Sequence, residues 1–183
     1  MNKVALISID YQKGFDHPVW GQRNNLDAEN KMALLLAHWR KNKWPVIHVQ
    51  HCSVEPNSPL RTGFAGNEFK QETKPITGEA VFKKSVNSAF IGTNLKSYLE
   101  DNAIQSLVIA GLTTDHCVST TTRMAGNYGF EVTLVSDATA TFDRKGEDGI
   151  HYTADQIHNI HLASLNGEFC TVKSTDEVLN NFM

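Results

Sequence analysis

The sequence predicts an α/β protein, a three-layer α-β-α sandwich around a mainly parallel, Rossmann-like sheet of about six strands. Two observations carry this. Short apolar, β-branched runs alternate with helical patterns along the chain, which is the signature of a parallel sheet with helices on both faces. Several runs are nearly continuous in hydrophobicity, as in strands covered on both sides. A chain of 183 residues suits one domain, 1–183, with a single substantial core.

The elements follow in order. KVALISI (3–9) reads as the first strand and WPVIHVQ (44–50) as the second. Between them, in DAENKMALLLAHWRKN, Met32, Leu35, Leu36 and Trp39 recur at i, i+3, i+4 and i+7. That spacing lines one face of an amphipathic helix. AVFKK (80–84) reads as a short strand, followed by SLVIAG (106–111), EVTLVS (131–136) and EFCTV (168–172). Helical patterns occupy 92–102, 116–128 and 153–165. The stretch 51–79 holds three prolines and three glycines without lasting periodicity, and is expected to be a lid or binding loop.

Composition narrows the function. Seventeen basic and twenty acidic side chains give a net charge of −3, with no like-charged block suited to nucleic acid. MNKVALISID enters strand-like sequence without a charged leader, and no apolar run nears the length of a membrane span. The expectation is a cytoplasmic protein with neither nucleic-acid nor membrane partners. Cys52, Cys117 and Cys170 are odd in number and widely spaced, which argues against a disulfide framework or a zinc ribbon.

No glycine-rich dinucleotide turn follows the first strand, and no phosphate-binding G-x-x-x-x-G-K-[ST] occurs. SIDYQKGF instead places Asp10 at the C-terminal tip of that strand. GLTTDHCVSTTTRMAG places Cys117 where SLVIAG gives way to a helix. Ligands of open parallel sheets sit outside the C-terminal ends of the strands, so both groups face that crevice. Taken singly, a strand-tip aspartate caps a turn, and a cysteine beside an apolar strand is packing.

The third group lies in VFKKSVNSAF. With Asp10 at the tip of the first strand, Lys84 followed by Ser88-Ala89-Phe90, and G-x-x-x-D-x-C-V at 111–118, the chain resembles the isochorismatase-like cysteine hydrolases. That superfamily includes nicotinamidase, N-carbamoylsarcosine amidohydrolase and streptothricin hydrolase. The resemblance runs in order from residue 3 to about 140 and includes SDATATF (136–142). It implies a catalytic trio of Asp10, Lys84 and Cys117; the spacing to Ser-Ala-Phe selects Lys84 over Lys83. It also implies a non-proline cis peptide at Leu112–Thr113 and an oxyanion hole formed by the N–H groups of Thr113 and Cys117.

The chemistry is coherent. A thiolate is the nucleophile, a helix N-terminus and an ammonium favour it, and a carboxylate takes the thiol proton and returns it to a leaving amine. On this reading the Cys117 thiol is expected to ionise below the ordinary cysteine range. The function so implied is hydrolysis of a small-molecule amide or related C–N bond through a thioester. A vinyl-ether hydrolase, or a thiol redox or binding protein on the same scaffold, stands as the alternative.

The chain departs from the nicotinamidase pattern at HVQHCS (48–53). There His51 replaces the aspartate and Ser53 the histidine of a metal motif, and strand alternation puts His48 and His51 on opposite faces. The reading is therefore of no metal and no cofactor. Phe15, His51, Phe64, Phe90 and His116 are the candidate substrate-binding residues. Relatives assemble, so a homodimer or homotetramer is expected on resemblance.

Overall fold

The structure, a computed structural model, describes residues 3–181. Six strands, β1 (Lys3–Ile9), β2 (Val46–His51), β3 (Ala80–Lys84), β4 (Ile104–Gly111), β5 (Glu131–Val135) and β8 (Thr171–Lys173), form one sheet in the order β3-β2-β1-β4-β5-β8. Every neighbouring pair in it is parallel. A short antiparallel hairpin of β6 (Arg144–Lys145) and β7 (His151–Tyr152) lies outside it.

Alternation along the strands divides the apolar side chains between two layers. Leu6 of β1 and Val108 and Ala110 of β4 pack under α1 (Ala28–Lys41), against Met32, Leu35, Leu36 and Trp39. The same layer holds Val178 of α5 (Thr175–Asn181). Ala5, Ile7 and Ile9 of β1, with Leu107 and Ile109 of β4, face the other way. They meet Leu95 and Leu99 of α2 (Leu95–Asp101), Ala125 of α3 (Ser119–Asn127) and Leu165 of α4 (Ala154–Leu165). The three-layer sandwich is as the sequence predicts.

Three details differ from the sequence reading. The segment predicted as a strand at 168–172 pairs only from Thr171, because the chain first makes a tight turn closed by the Gly167 N–H on the Cys170 carbonyl. The helical pattern at 116–128 begins earlier, as one π-helical turn over Thr114–Val118 that runs into α3. α5 was not predicted: its seven residues are too few to show a period. Its start is nonetheless written in the sequence, since Ser174 and Glu177 exchange the bonds of a capping box.

The order 3-2-1-4-5 puts β1 beside β4 at the point where the chain switches from one face to the other. The crevice that opens beyond their C-terminal ends is where such folds hold ligands. The connection after β2 is tied down at that end. Gln12 forms an isolated bridge with Phe69, the Lys70 N–H reaches the Tyr11 carbonyl at 2.9 Å, and Lys70 Nζ bonds Asp16 and Glu29. Two 3-10 turns, Ala65–Asn67 and Gln71–Thr73, give the connection local structure.

Candidate active site

Asp10 follows β1 in a left-handed conformation, φ +55°. Aspartate tolerates this better than most residues, and the turn lets the chain leave the sheet at once. Its N–H is still held by the Val49 carbonyl at 2.9 Å, so the carboxylate is fixed at the strand tip. Lys84 closes β3, in register with His51 of β2. Strand alternation buries Phe82 and Lys84 and exposes Lys83, which places Lys84 in the crevice as its spacing predicts. Cys117 sits in the π-helical turn between β4 and α3.

The three side chains meet. Lys84 Nζ donates to Asp10 Oδ2 at 2.6 Å, to Cys117 Sγ at 3.1 Å and to His51 Nδ1 at 3.0 Å. An ammonium has three N–H groups and no acceptor, so this one is fully used by a carboxylate, a sulfur and an imidazole. Asp10 is 0% exposed, Lys84 2% and Cys117 6%, which keeps water away from the cluster. Asp10 Oδ1 is buried with no hydrogen-bond partner among the described residues. The Leu112–Thr113 peptide is cis. The Thr113 N–H has no backbone acceptor among the described residues.

Electrostatics corrects one expectation. Burial pushes the Cys117 thiol well above its ordinary range; the Asp10 carboxylate pushes it further, and Lys84 only partly offsets the two. The resting sulfur is therefore a thiol, not the persistent thiolate read from a helix start and a neighbouring lysine. The ammonium offsets burial and the carboxylate only in part, because it is already engaged by a full negative charge at shorter range. For Lys84 itself, burial works against the charged form, but the Asp10 carboxylate, helped by the hydrogen bond to the Cys117 sulfur, outweighs it and leaves the ammonium more firmly protonated than usual. Burial, then the Lys84 charge, lowers the His51 pKa, so its imidazole is neutral.

Asp10, His51 and Cys117 also present ligand atoms within 4.8 Å of one another, close enough in principle to share a metal ion. The Lys84 ammonium bonds all three of these residues and is the cation of the cluster. The donor set thus fits the ammonium, and a metal would compete with it for the same atoms. His48 is turned away from this cluster: its Nε2 pairs with Glu79 Oε2 at 2.8 Å.

The other candidates are dispersed. Phe15 is buried in an aromatic stack with Trp20, at 5.2 Å between ring centres, and Phe142, at 6.1 Å. Phe90 packs on Tyr128 and Phe130 within the core layer of α2 and α3. Phe64 is half exposed and lines a surface cavity of about 520 Å³ with Lys13, Gly14 and Pro59. The His116 side chain is exposed, 3.6 Å from Asp115.

Sequence reasoning passed over two residues. Asn87 Oδ1 lies 3.8 Å from Cys117 Sγ, and its place between Lys84 and Ser-Ala-Phe was the available signal. Gln12 is buried and grips both sides of His51, accepting from its N–H at 2.8 Å and donating to its carbonyl at 3.0 Å. Asn67 donates to the same carbonyl at 2.8 Å, so the end of β2 is held from two directions.

A buried carboxylate, ammonium and thiol thus meet at the switch point of a doubly wound parallel sheet, where such α/β folds hold ligands. The family model described as Isochorismatase domain matches residues 4–177. The isochorismatase family protein YrdC of Bacillus subtilis is 49% identical over 184 residues, covering 99% of this chain and 97% of that protein. Nicotinamidase 3 of Arabidopsis thaliana is 35% identical over 187 residues, covering 98% and 89%. The crystal structure of a hydrolase of the isochorismatase family from Chromobacterium violaceum superposes with a TM-score of 0.95 at 45% identity, covering 98% of this chain and 93% of that one. The chain belongs to the isochorismatase family of hydrolases. No helix among the described residues is long and apolar enough to cross a membrane.

Proposed function

We propose that this protein is a cysteine-dependent hydrolase of a small-molecule amide or related C–N bond, working through a thioester. The observation that carries the reading is the division of labour at Asp10: Oδ2 holds Lys84, while the buried Oδ1 has no hydrogen-bond partner among the described residues and is free to take a proton. Because burial raises the thiol pKa, proton transfer accompanies attack instead of preceding it. Asp10 accepts the Cys117 proton as the sulfur bonds to the carbonyl carbon. Lys84 supports the negative charge as it leaves the carboxylate, by way of the sulfur, for the carbonyl oxygen.

The tetrahedral oxyanion is held by the N–H groups of Thr113 and Cys117, each such donor being worth about 10²–10³ in rate. Asp10 returns its proton to the nitrogen as the C–N bond breaks, so ammonia or an amine leaves and a thioester remains. Water attacks the thioester, giving its proton to Asp10, and the acid departs as Cys117 regains its proton. The amide-cleaving name of the Arabidopsis relative supports the C–N assignment. An ammonia-release screen across small amides, run beside Cys117→Ala, tests it. Turnover by the wild type and none by the variant is expected; full turnover without the thiol would overturn it.

A further inference from the structure

We infer that His51 is a substrate-facing hydrogen-bond donor, locked in one tautomer by Lys84, that selects small amides carrying a second carbonyl group whose carbon is two bonds from the scissile carbon. The inference rests on the amide-hydrolase reading above and says what the site selects.

The tautomer follows from donor counting. Lysine can only donate, so a 3.0 Å contact from Lys84 Nζ makes His51 Nδ1 an acceptor. In a neutral imidazole the proton must then sit on Nε2. The ring is held by the Lys84 bond, and the backbone that carries it is gripped on both sides by Gln12 and at its carbonyl by Asn67 as well. Gln12 is itself fully buried, and Gln50 Nε2 holds the Asn67 carbonyl at 2.8 Å, so the support is a closed amide network.

Apart from the two backbone N–H groups assigned to the oxyanion, the ring of His51 offers one outward donor, Nε2–H. Lys84 has spent all three N–H groups and Asp10 can only accept. Nε2 has no partner among the described residues and is not among the sealed atoms, and His51 as a whole is half-buried. A ring nitrogen of His51 lies within 4.8 Å of Cys117 Sγ. A substrate carbonyl under attack at Sγ therefore brings any nearby acceptor against His51, provided that acceptor is close to the reacting carbon. A 1,3-dicarbonyl arrangement meets this, and a simple alkyl amide would leave the Nε2–H unpaired on displacing its water. Such an unpaired group weakens binding, which makes the donor selective.

Asparagine and glutamine separate the two nitrogens. His51→Asn keeps an acceptor near the Nδ1 position for Lys84 but has no donor where Nε2 was. His51→Gln keeps a donor near Nε2 and gives up the Lys84 contact. Malonamide and butyramide serve as the paired probes, bound to Cys117→Ala protein so that turnover does not intervene. Malonamide is expected to bind about three- to tenfold more tightly, a preference lost with His51→Asn and kept with His51→Gln. Nitrogen NMR of the unmodified wild type, which depends on no variant folding, is expected to show His51 neutral with its proton on Nε2, and that nitrogen shifting when malonamide is added.

A proton on Nδ1, an equal affinity for the two amides, no detectable malonamide binding, or a preference that survives His51→Asn would each overturn the inference. None of these would touch the amide-hydrolase reading, which stands or falls with Cys117-dependent ammonia release by the wild type.

Discussion

Lys84 Nζ stands 3.1 Å from the Cys117 sulfur but donates a shorter bond, 2.6 Å, to Asp10. One ammonium thus serves a carboxylate that is charged and a thiol that is not. The sulfur gains little from a cation whose charge is already matched, and burial then keeps the thiol protonated. The site is poised for a concerted transfer, with the charge moving inside a cluster whose net charge stays the same.

Asp10→Asn should separate nucleophilicity from catalysis. Removing the carboxylate removes one of the causes that raise the Cys117 pKa and frees Lys84 for the sulfur. Alkylation of Cys117 by iodoacetamide near pH 8 should become faster than in the wild type, while amide hydrolysis falls by about 10²–10⁴, the range of a lost general base. In the wild type the alkylation rate should keep rising through pH 9. A plateau near neutrality would show a persistent thiolate.

Lys84→Met and Lys83→Met should differ sharply although the residues are neighbours. Lys84 is buried against Asp10, and removing one partner of a buried ion pair costs about 3–5 kcal/mol. Lys83 is exposed, where substitutions change stability by less than about 0.5 kcal/mol. Urea denaturation of both variants reads this directly. Equal stabilities would mean that the wrong lysine had been placed in the crevice.

Gly111→Ala should destabilise the sheet where β4 approaches β1. A Cβ there would stand 2.2 Å from the Ile9 carbonyl oxygen and 2.6 Å from the Ile9 Cβ. Backbone cannot yield as a side-chain tip does, so the cost should reach or exceed the usual overpacking range of about 1–3 kcal/mol. Gly129→Ala is a poor control because of its positive φ, whereas Ala103→Gly, at φ +53°, should be tolerated. A Gly111→Ala protein with wild-type urea midpoint would contradict the close approach.

Acid stability should depend on Glu79. Burial opposes its charge, but bonds from Arg40, the Ile76 N–H and His48 hold its pKa down to about 2. A carboxyl group depressed on folding contributes stability above its unfolded pKa, about 4.5, and loses it as pH falls toward the folded value. Glu79→Gln should therefore flatten the decline in melting temperature between pH 4.5 and 2. An unchanged acid limb would show that the depression is not present in solution.

Much of this was legible in the sequence, for reasons that differ by residue. β1, β2, β4 and β5 were readable because the sheet is covered on both faces and their runs are rich in apolar, β-branched residues. Lys84 was separable from Lys83 because its spacing to Ser88-Ala89-Phe90 matches the family motif. The thiol pKa was not legible, since it depends on burial and on a carboxylate more than a hundred positions away in the chain. Nor was the role of Gln12, an ordinary polar residue whose two bonds to His51 exist only once β1 and β2 are paired. The hairpin of β6 and β7 was missed because its strands are two residues each, too short for any alternation to register.

The most direct test of the central claim is to stop turnover of a hydrolysed amide in acid and weigh the intact protein. A mass increase equal to the acyl group, mapped to the peptide carrying Cys117 and absent from Cys117→Ala, is the predicted result. Steady hydrolysis with no acylated protein, undiminished in Cys117→Ala, would contradict it.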